Sequence, residues 1–313
     1  MAVILVTHGI PGEGFRPLEG HQVIMPEVLH AFTEEELLQY APQCDAIVAG
    51  GRVSAQVIQA AKKLKIIANY GAGYDAVDVN AAREAGVPVT NIPETVTQDT
   101  AELAMGLILS VSRRIGEMNL RLRKEPPESL FGMGRHMGKS LRGQTLGIIG
   151  CGRIGSRTAE MAKAFGMRVL GYARRGCDPR VAEPVSFENL LEQADIVSLH
   201  CPLTAETRHL ISHDAFARMK DGAILINTAR GAVVDTDALL AALESGKVAG
   251  AGLDVFPDEP HVPAALLQHD RVVCTPHIGT NTSLTRCEMA EACSRQILDV
   301  LSGKRPQNIV NGL

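Results

Sequence analysis

The stretch Thr145-Leu146-Gly147-Ile148-Ile149-Gly150-Cys151-Gly152-Arg153-Ile154-Gly155 decides the fold. Leu146 to Ile149 is a short apolar run of strand type. Gly150, Gly152 and Gly155 follow it with the spacing G-x-G-x-x-G. Residues 156–165 then carry Ala159, Met161 and Ala162 in a plausible helix. In a chain with 30 glycines the spacing alone says little. Strand, motif and helix in register make it a phosphate loop rather than a bare glycine-rich turn. The first glycine permits the tight turn, the second lets the backbone approach a pyrophosphate, and the third lets the helix pack on the strand. The helix start offers N–H groups and a positive dipole end to the phosphates.

Outward from this loop, strand and helix alternate. Val3–Val6, Ala46–Ala49, 65–68 and 87–89 read as strands of a first series. Thr145–Ile149, Arg168–Tyr172, 195–199, Ala223–Asn227, Val248–Leu253 and 272–275 read as six strands of a second. Short apolar strands separated by helical patterns imply βαβ units and parallel sheets. Two longer helices are expected, a largely buried one over 98–114 and a last one over Ser283–Leu301. Residues 121–142, rich in basic residues, Pro and Gly, read as a surface arm or connector. There is also an internal echo. Asn69-Tyr70-Gly71-Ala72-Gly73 with Asp78 and Gly86 resembles Asn227-Thr228-Ala229-Arg230-Gly231 with Asp235 and Gly246. Two related α/β domains facing each other, or chance in a Gly/Ala-rich chain, both account for it.

Composition bounds the function. The 313 residues suit two domains. Apolar residues at 45% and charged residues at 21% exclude a disordered, collagenous or coiled-coil chain. The net charge of −4, with no Lys/Arg-rich block, argues against nucleic acid as a partner. No apolar run approaches the ~18 residues of a membrane span. The N-terminus lacks a basic n-region and reads as a first strand, not a signal peptide. Seven scattered Cys with no CxxC favour reduced thiols in the cytoplasm over a disulfide framework or a metal site.

The strand 168–172 ends in Ala173-Arg174-Arg175-Gly176. An NAD site commonly has Asp or Glu there for the ribose 2′-OH. Two guanidinium groups suit a 2′-phosphate instead, which predicts NADP(H), with NAD(H) as a weaker option. The plainer alternative is a solvated basic turn, with Asp178 or nothing reading the ribose.

Three further strand ends carry Arg230, Glu259 and His277. Ligand crevices of open α/β sheets lie outside the carboxyl ends of strands, so these side chains can converge. Each alone is usually a solvated loop residue. Together they suit hydride transfer to a ketone beside a carboxylate. Arg230 would anchor the acid and polarise the carbonyl. His277 would supply the proton, and Glu259 would favour its protonated form and fix its orientation.

The chain resembles the D-isomer-specific 2-hydroxyacid dehydrogenase family over essentially its whole length. The resemblance rests on Gly71-Ala-Gly-Tyr-Asp75, Thr100-Ala-Glu102, the loop 147–155, His200-Cys-Pro-Leu-Thr204, Asn227-Thr-Ala-Arg-Gly231, Asp254-Val-Phe-Pro-Asp-Glu-Pro260 and Pro276-His-Ile-Gly279. It implies two Rossmann-like or flavodoxin-like, doubly wound parallel-sheet domains with a cleft between them. The substrate domain would comprise residues 1–95 and 286–313, with the dinucleotide-binding domain, 96–285, inserted. The same resemblance implies the catalytic set Arg230, Glu259 and His277. Substrate would be bound by the backbone of Ala72 and Gly73 together with Arg230 and His277. For the cofactor it adds Thr100, Arg153, Ile154, Cys201, Pro202 and Thr207. Thr228, Ala229, Asp254, His277 and Gly279 complete that set beside Gly150, Gly152, Gly155 and Ala173 to Arg175. A homodimer is implied, with the arm near 121–142 embracing the partner.

The arginine turn and the Asn69–Gly73 loop look most like NADPH-using glyoxylate/hydroxypyruvate reductases. The chain has no Trp, so a Trp wall on the pocket is absent, with Phe131 or Leu130 as substitutes. The expected substrate is therefore a small 2-oxo acid. The alternatives are 2-ketogluconate, phosphohydroxypyruvate or phenylpyruvate, or a non-enzymatic NAD(P)H-sensing protein like the family's corepressors. The lack of a C-terminal extension weighs against a phosphoglycerate dehydrogenase.

Overall fold

The computed structural model describes residues 1–313. The chain folds as two compact units, 1–96 with 280–313, and 97–279.

The first unit contains β1 (Val3–Val6), β2 (Gln22–Ile24), β3 (Ala46–Ala49), β4 (Ile66–Asn69) and β5 (Val89–Thr90). They form one parallel sheet in the order β2-β1-β3-β4-β5. All residues of β3 and β4 are buried, as strands covered on both faces require. The helix Ser283–Leu301 rejoins this unit late in the chain. Its buried Gln296 is tied to the end of β5, accepting from Thr90 Oγ1 at 2.7 Å and donating to the Asn91 carbonyl at 3.0 Å. The sequence reading omitted β2. Its three residues are exposed or half-buried, and Val23 and Ile24 make too short an apolar run to mark a strand.

The second unit holds β6 (Thr145–Ile149), β7 (Arg168–Tyr172), β8 (Glu183–Pro184), β9 (Ile196–Leu199), β10 (Ala223–Asn227), β11 (Val248–Leu253) and β12 (Val272–Cys274). The order is β12-β11-β10-β9-β6-β7-β8, all parallel. The sheet thus has seven strands where six were expected. The addition, β8, is a two-residue edge containing a proline, which only an edge tolerates. Strand period divides the core: Ile224 and Ile226 pack into one cluster with Ile148 and Ile196, and Leu225 into the other with Leu199 and Leu239. The chain leaves β6 towards β7 and β8, and leaves β9 towards β10, so the order reverses between β6 and β9.

The first long helix runs over Thr97–Ser112 rather than 98–114. The expected arm is more regular than anticipated at its start. A helix, Ile115–Lys124, leads into it, laced by ion pairs of Glu117 with Arg114 and Arg121, and of Arg121 with Glu125.

The internal echo has a structural counterpart. Asn69 ends β4 and Asn227 ends β10, and both side chains hold the following loop. Asp78 and Asp235 then cap helices Val79–Glu84 and Thr236–Glu244, accepting from Ala81 N–H at 2.9 Å and Ala238 N–H at 3.1 Å. Gly86 and Gly246 end those segments at φ +71° and +76°. Replacing Asp235 with Ala removes one cap and should cost about 1 kcal/mol. A calorimetric Tm lowered by about 2–4 °C is expected for a unit of this size; an unchanged Tm would show the cap to be energetically silent.

Candidate active site

The site is built where the strands of the seven-stranded sheet end. Gly150 leaves β6 at φ +104°. A Cβ there would lie 2.6 Å from Cys201 N and from His200 C, which follow β9. The phosphate loop therefore lies at the point where the strand order reverses, the usual ligand position in such sheets. At Gly155 a Cβ would collide with the Gly150 carbonyl, so glycine lets the helix Arg153–Ala164 pack tightly on the loop. No side chain caps that helix at Gly152, leaving its N-terminal end available to a phosphate.

Around the loop, Thr207 Oγ1 donates to the Pro202 carbonyl at 2.6 Å and accepts from Thr204 N–H at 2.7 Å, folding the segment after β9 into a compact turn. Cys201 is buried, and burial pushes its thiol up to about 11. Burial also lowers His200 to about 4, keeping it neutral, with Nε2 bonded to Ser198 at 2.9 Å. Thr100 and Ala229 are buried. Thr228 Oγ1 is buried without a hydrogen-bond partner. An orphaned hydroxyl, an uncapped helix start and a glycine cradle together fit a dinucleotide.

The Arg174-Arg175 turn is closed by Gly176 N–H to the Ala173 carbonyl at 2.8 Å. Both arginines are exposed, and the charge of Arg174 reaches the Glu206 carboxylate. Asp178, the other sequence candidate for the ribose, is engaged with Arg180 at 2.6 Å, which holds its carboxyl down to about 2. The expectation that all cysteines are reduced needs correction: Cys151 and Cys177 form a disulfide. The other five are thiols. No CxxC spacing is required, because adjacent strands β6 and β7 deliver the two residues side by side.

Arg230, Glu259 and His277 leave adjacent strands β10, β11 and β12. Asn227 Oδ1 accepts from Ala229 N–H at 3.0 Å and its Nδ2 donates to the Arg230 carbonyl at 2.9 Å, shaping the turn. Gly231 lies so close to Phe256 and Pro257 that a Cβ would overlap their backbone. This contact brings the arginine turn against the glutamate loop. His277 sits at φ +52°, and its Nδ1 donates to Glu259 Oε2 at 2.7 Å. Glu259 Oε1 accepts from Phe256 N–H at 2.9 Å. Half-burial would raise the Glu259 carboxyl, but the His277 hydrogen bond, the Phe256 N–H and the charges of His277 and Arg230 outweigh it, and its pKa falls.

Asp254 was expected among the cofactor residues. Its carboxylate is buried and turned into its own unit. Oδ1 accepts from Thr275 Oγ1 at 2.6 Å and Ile278 N–H at 2.8 Å, and Oδ2 from Gly279 N–H at 2.9 Å. Burial raises its pKa, against these hydrogen bonds and the His277 charge. Sequence reading missed the supporting Asn227, Thr275 and Phe256 N–H. Only the position of Asn227 at a strand end, repeated at Asn69, offered a signal.

The comparisons agree with this architecture. The family model "D-isomer specific 2-hydroxyacid dehydrogenase, NAD binding domain" matches residues 105–279. A glyoxylate reductase of Thermococcus litoralis is 42% identical over 318 residues, covering 98% of this chain and 96% of the relative. A crystal structure of a Thermus thermophilus protein superposes with TM-score 0.90 at 42% identity, over 98% and 99% of the two chains. An NADPH-dependent glyoxylate/hydroxypyruvate reductase of Sinorhizobium meliloti, solved with NADP and malonate, gives 0.87 at 30% identity over 99% and 96%. The chain belongs to the D-isomer-specific 2-hydroxyacid dehydrogenase family, a family of nicotinamide-dependent oxidoreductases.

Replacing Asp254 with Asn keeps its shape but turns an N–H donor towards either the Gly279 N–H or the Thr275 and Ile278 donors. The His277 loop should shift, and kcat should fall by roughly 10–100-fold with the circular dichroism spectrum unchanged. Full turnover in that variant would remove Asp254 from the positioning of His277.

Proposed function

We propose that the protein uses NADPH to reduce a small 2-oxo acid, glyoxylate to glycolate or hydroxypyruvate to the D-2-hydroxy acid. The observation that carries this reading is the 2.7 Å hydrogen bond of His277 to Glu259, within reach of the Arg230 charge and in the same unit as the glycine loop. The relatives named glyoxylate reductase and the NADP-bound neighbour support the substrate and cofactor.

When bound, the cofactor supplies the hydride to the carbonyl carbon. Arg230 pairs with the substrate carboxylate and polarises the carbonyl. His277, with Nδ1 committed to Glu259, holds its transferable proton on Nε2 and gives it to the carbonyl oxygen. Glu259 stabilises the protonated ring and fixes its orientation. The backbone of Ala72 and Gly73 would bind the substrate carboxylate. The carbonyls of Gly71, Ala72 and Gly73 are all occupied, while the N–H groups of Ala72 and Gly73 donate to no protein acceptor. Arg174 and Arg175 would grip the 2′-phosphate. A homodimer belongs to the same reading, supported by the exposed apolar side chains Ile115, Leu122, Phe131, Met133 and Met137 on and after the 115–124 helix. No helix is long and apolar enough to cross a membrane.

Initial rates with NADPH and NADH against glyoxylate, hydroxypyruvate, pyruvate, phenylpyruvate and 2-ketogluconate test the reading. NADPH with glyoxylate or hydroxypyruvate should give the highest kcat/KM; negligible turnover on every acid would overturn it. Replacing His277 with Gln should lower kcat by about 10²–10⁴-fold with NADPH affinity nearly intact. The Arg174→Ala/Arg175→Ala variant should lose roughly 10–100-fold in kcat/KM for NADPH, as expected for losing charge-assisted hydrogen bonds of about 1.5–3 kcal/mol, and little for NADH. An unchanged cofactor ratio would return both arginines to solvated charges.

The Glu259 shift has a definite sign. Its folded-state pKa lies below the ordinary 4.5. Its ionised form, and the stability it contributes, is therefore fully present above that value and is lost as pH falls through the lower folded value. Glu259→Gln removes this titrating carboxylate, so the acidic limb that Glu259 sets should be absent from the pH–rate profile. A pH–rate profile superimposable on the parent's would contradict the pairing.

A further inference from the structure

Two cysteines sit within the cofactor loops. Cys151 stands between the first two glycines of the phosphate loop, and Cys177 follows Arg174-Arg175-Gly176. They are 26 residues apart in sequence, are joined by a disulfide and have Cα atoms 5.3 Å apart, within the range such bridges require. The register places Ile149 opposite Tyr172, so β6 and β7 release their exit loops side by side. Gly171 provides the space for the sulfurs, since a Cβ there would lie 2.8 Å from each of them. Cys151, like Met161 and Val181, packs against the hydrophobic core. The bridge thus braces the loop from the core side.

Four of the other five thiols differ. Burial pushes Cys44, Cys201 and Cys274 up to about 11 and Cys293 higher still. Such groups carry little thiolate and exchange poorly. Cys151 and Cys177 are both half-buried rather than enclosed, so a small reagent can reach them.

We propose that Cys151 and Cys177 form a reversible thiol–disulfide site that sets cofactor affinity. The bonded form holds the phosphate loop and the arginine turn at a fixed separation and binds NADPH more tightly than the dithiol form. This rests on the reading of Arg174 and Arg175 as the 2′-phosphate site. Both loops would contact one ligand, so fixing their separation in advance lowers the ordering cost of binding.

The exchange chemistry balances. A small dithiol attacks one sulfur through its thiolate, the S–S bond breaks and a mixed disulfide forms. The second thiol of the reagent then displaces the remaining cysteine sulfur. Two electrons and two protons end on Cys151 and Cys177, and the reagent leaves as its own disulfide. A hydroperoxide reverses this. One cysteine thiolate attacks its O–O bond to give a sulfenic acid and, for hydrogen peroxide, water. The other thiol then expels a second water as the S–S bond forms.

The test measures NADPH and NADH dissociation constants on the full chain after hydrogen peroxide and after dithiothreitol, each reagent removed. Thiols are counted in denaturant. Of the seven cysteines, five should react in the oxidised form and seven in the reduced form. NADPH should bind roughly three- to tenfold more weakly to the dithiol form. Cys177→Ser should bind like the dithiol form under both treatments. Equal NADPH affinity in forms verified to hold five and seven thiols would overturn the proposal, as would seven thiols after peroxide. NADH distinguishes the two layers. A redox effect of equal size on both cofactors, with no preference for NADPH, would retain the disulfide site and remove the arginine reading.

Discussion

Parallel strands can present several side chains to one ligand only if the loops that leave them approach backbone to backbone. That constraint organises the unit 97–279. Gly150 presses on the His200–Cys201 backbone, and Gly231 presses on Phe256 and Pro257. A methyl group at either place would push neighbouring loops apart. The first contact brings the end of β6 to that of β9. The second brings the end of β10 to that of β11. The catalytic candidates are thus gathered by missing side chains as much as by those present.

A second constraint is electrostatic. Asp254 is buried, and burying a carboxylate is costly unless its oxygens are satisfied. Three donors, all from the segment 275–279, converge on it. Charge-assisted hydrogen bonds of about 1.5–3 kcal/mol each keep the segment folded back on β11. His277 is held there in a left-handed backbone conformation that a free histidine seldom adopts. His277 N–H also donates to the Asp254 carbonyl at 2.9 Å. One residue thereby fixes the position of the imidazole through its backbone, while Glu259 fixes its rotation through the side chain.

Much of this was legible beforehand. Buried strands such as Ala46–Ala49 and Ala223–Asn227 are apolar runs, the second up to its closing Asn227, and apolar sequence and burial coincide there. The glycine loop was readable because its function depends on absent atoms, which a sequence records directly. The strands β2 and β8 were not, since short edges carry no burial signal. The inward use of Asp254 was equally hidden, because a carboxylate at a strand end has the same letter whether it faces a ligand or its own chain. The disulfide was misjudged for a related reason. Cysteine spacing along the chain says nothing about two loops that a sheet places side by side, and the bareness of Gly171, crowded by both sulfurs and by Ala182, is visible only in the structure.

The two asparagine turns show how one local device can leave two different sets of donors exposed at a loop. An Asn side chain can both donate and accept, and the two units use that capacity differently. Asn69 only donates, to the carbonyls of Gly71 and Gly73. With those acceptors turned inward, the peptide N–H groups of Ala72 and Gly73 are left as the loop's remaining donors. Asn227 also accepts, from Ala229 N–H. That consumes a backbone donor, and the loop's positive character then comes from the Arg230 guanidinium. Small residues in the first turn leave its backbone open to close approach. The second turn carries a long side chain, Arg230. The same strand–Asn–loop–Asp-capped helix thus yields a neutral N–H cradle in one unit and a cationic arm in the other.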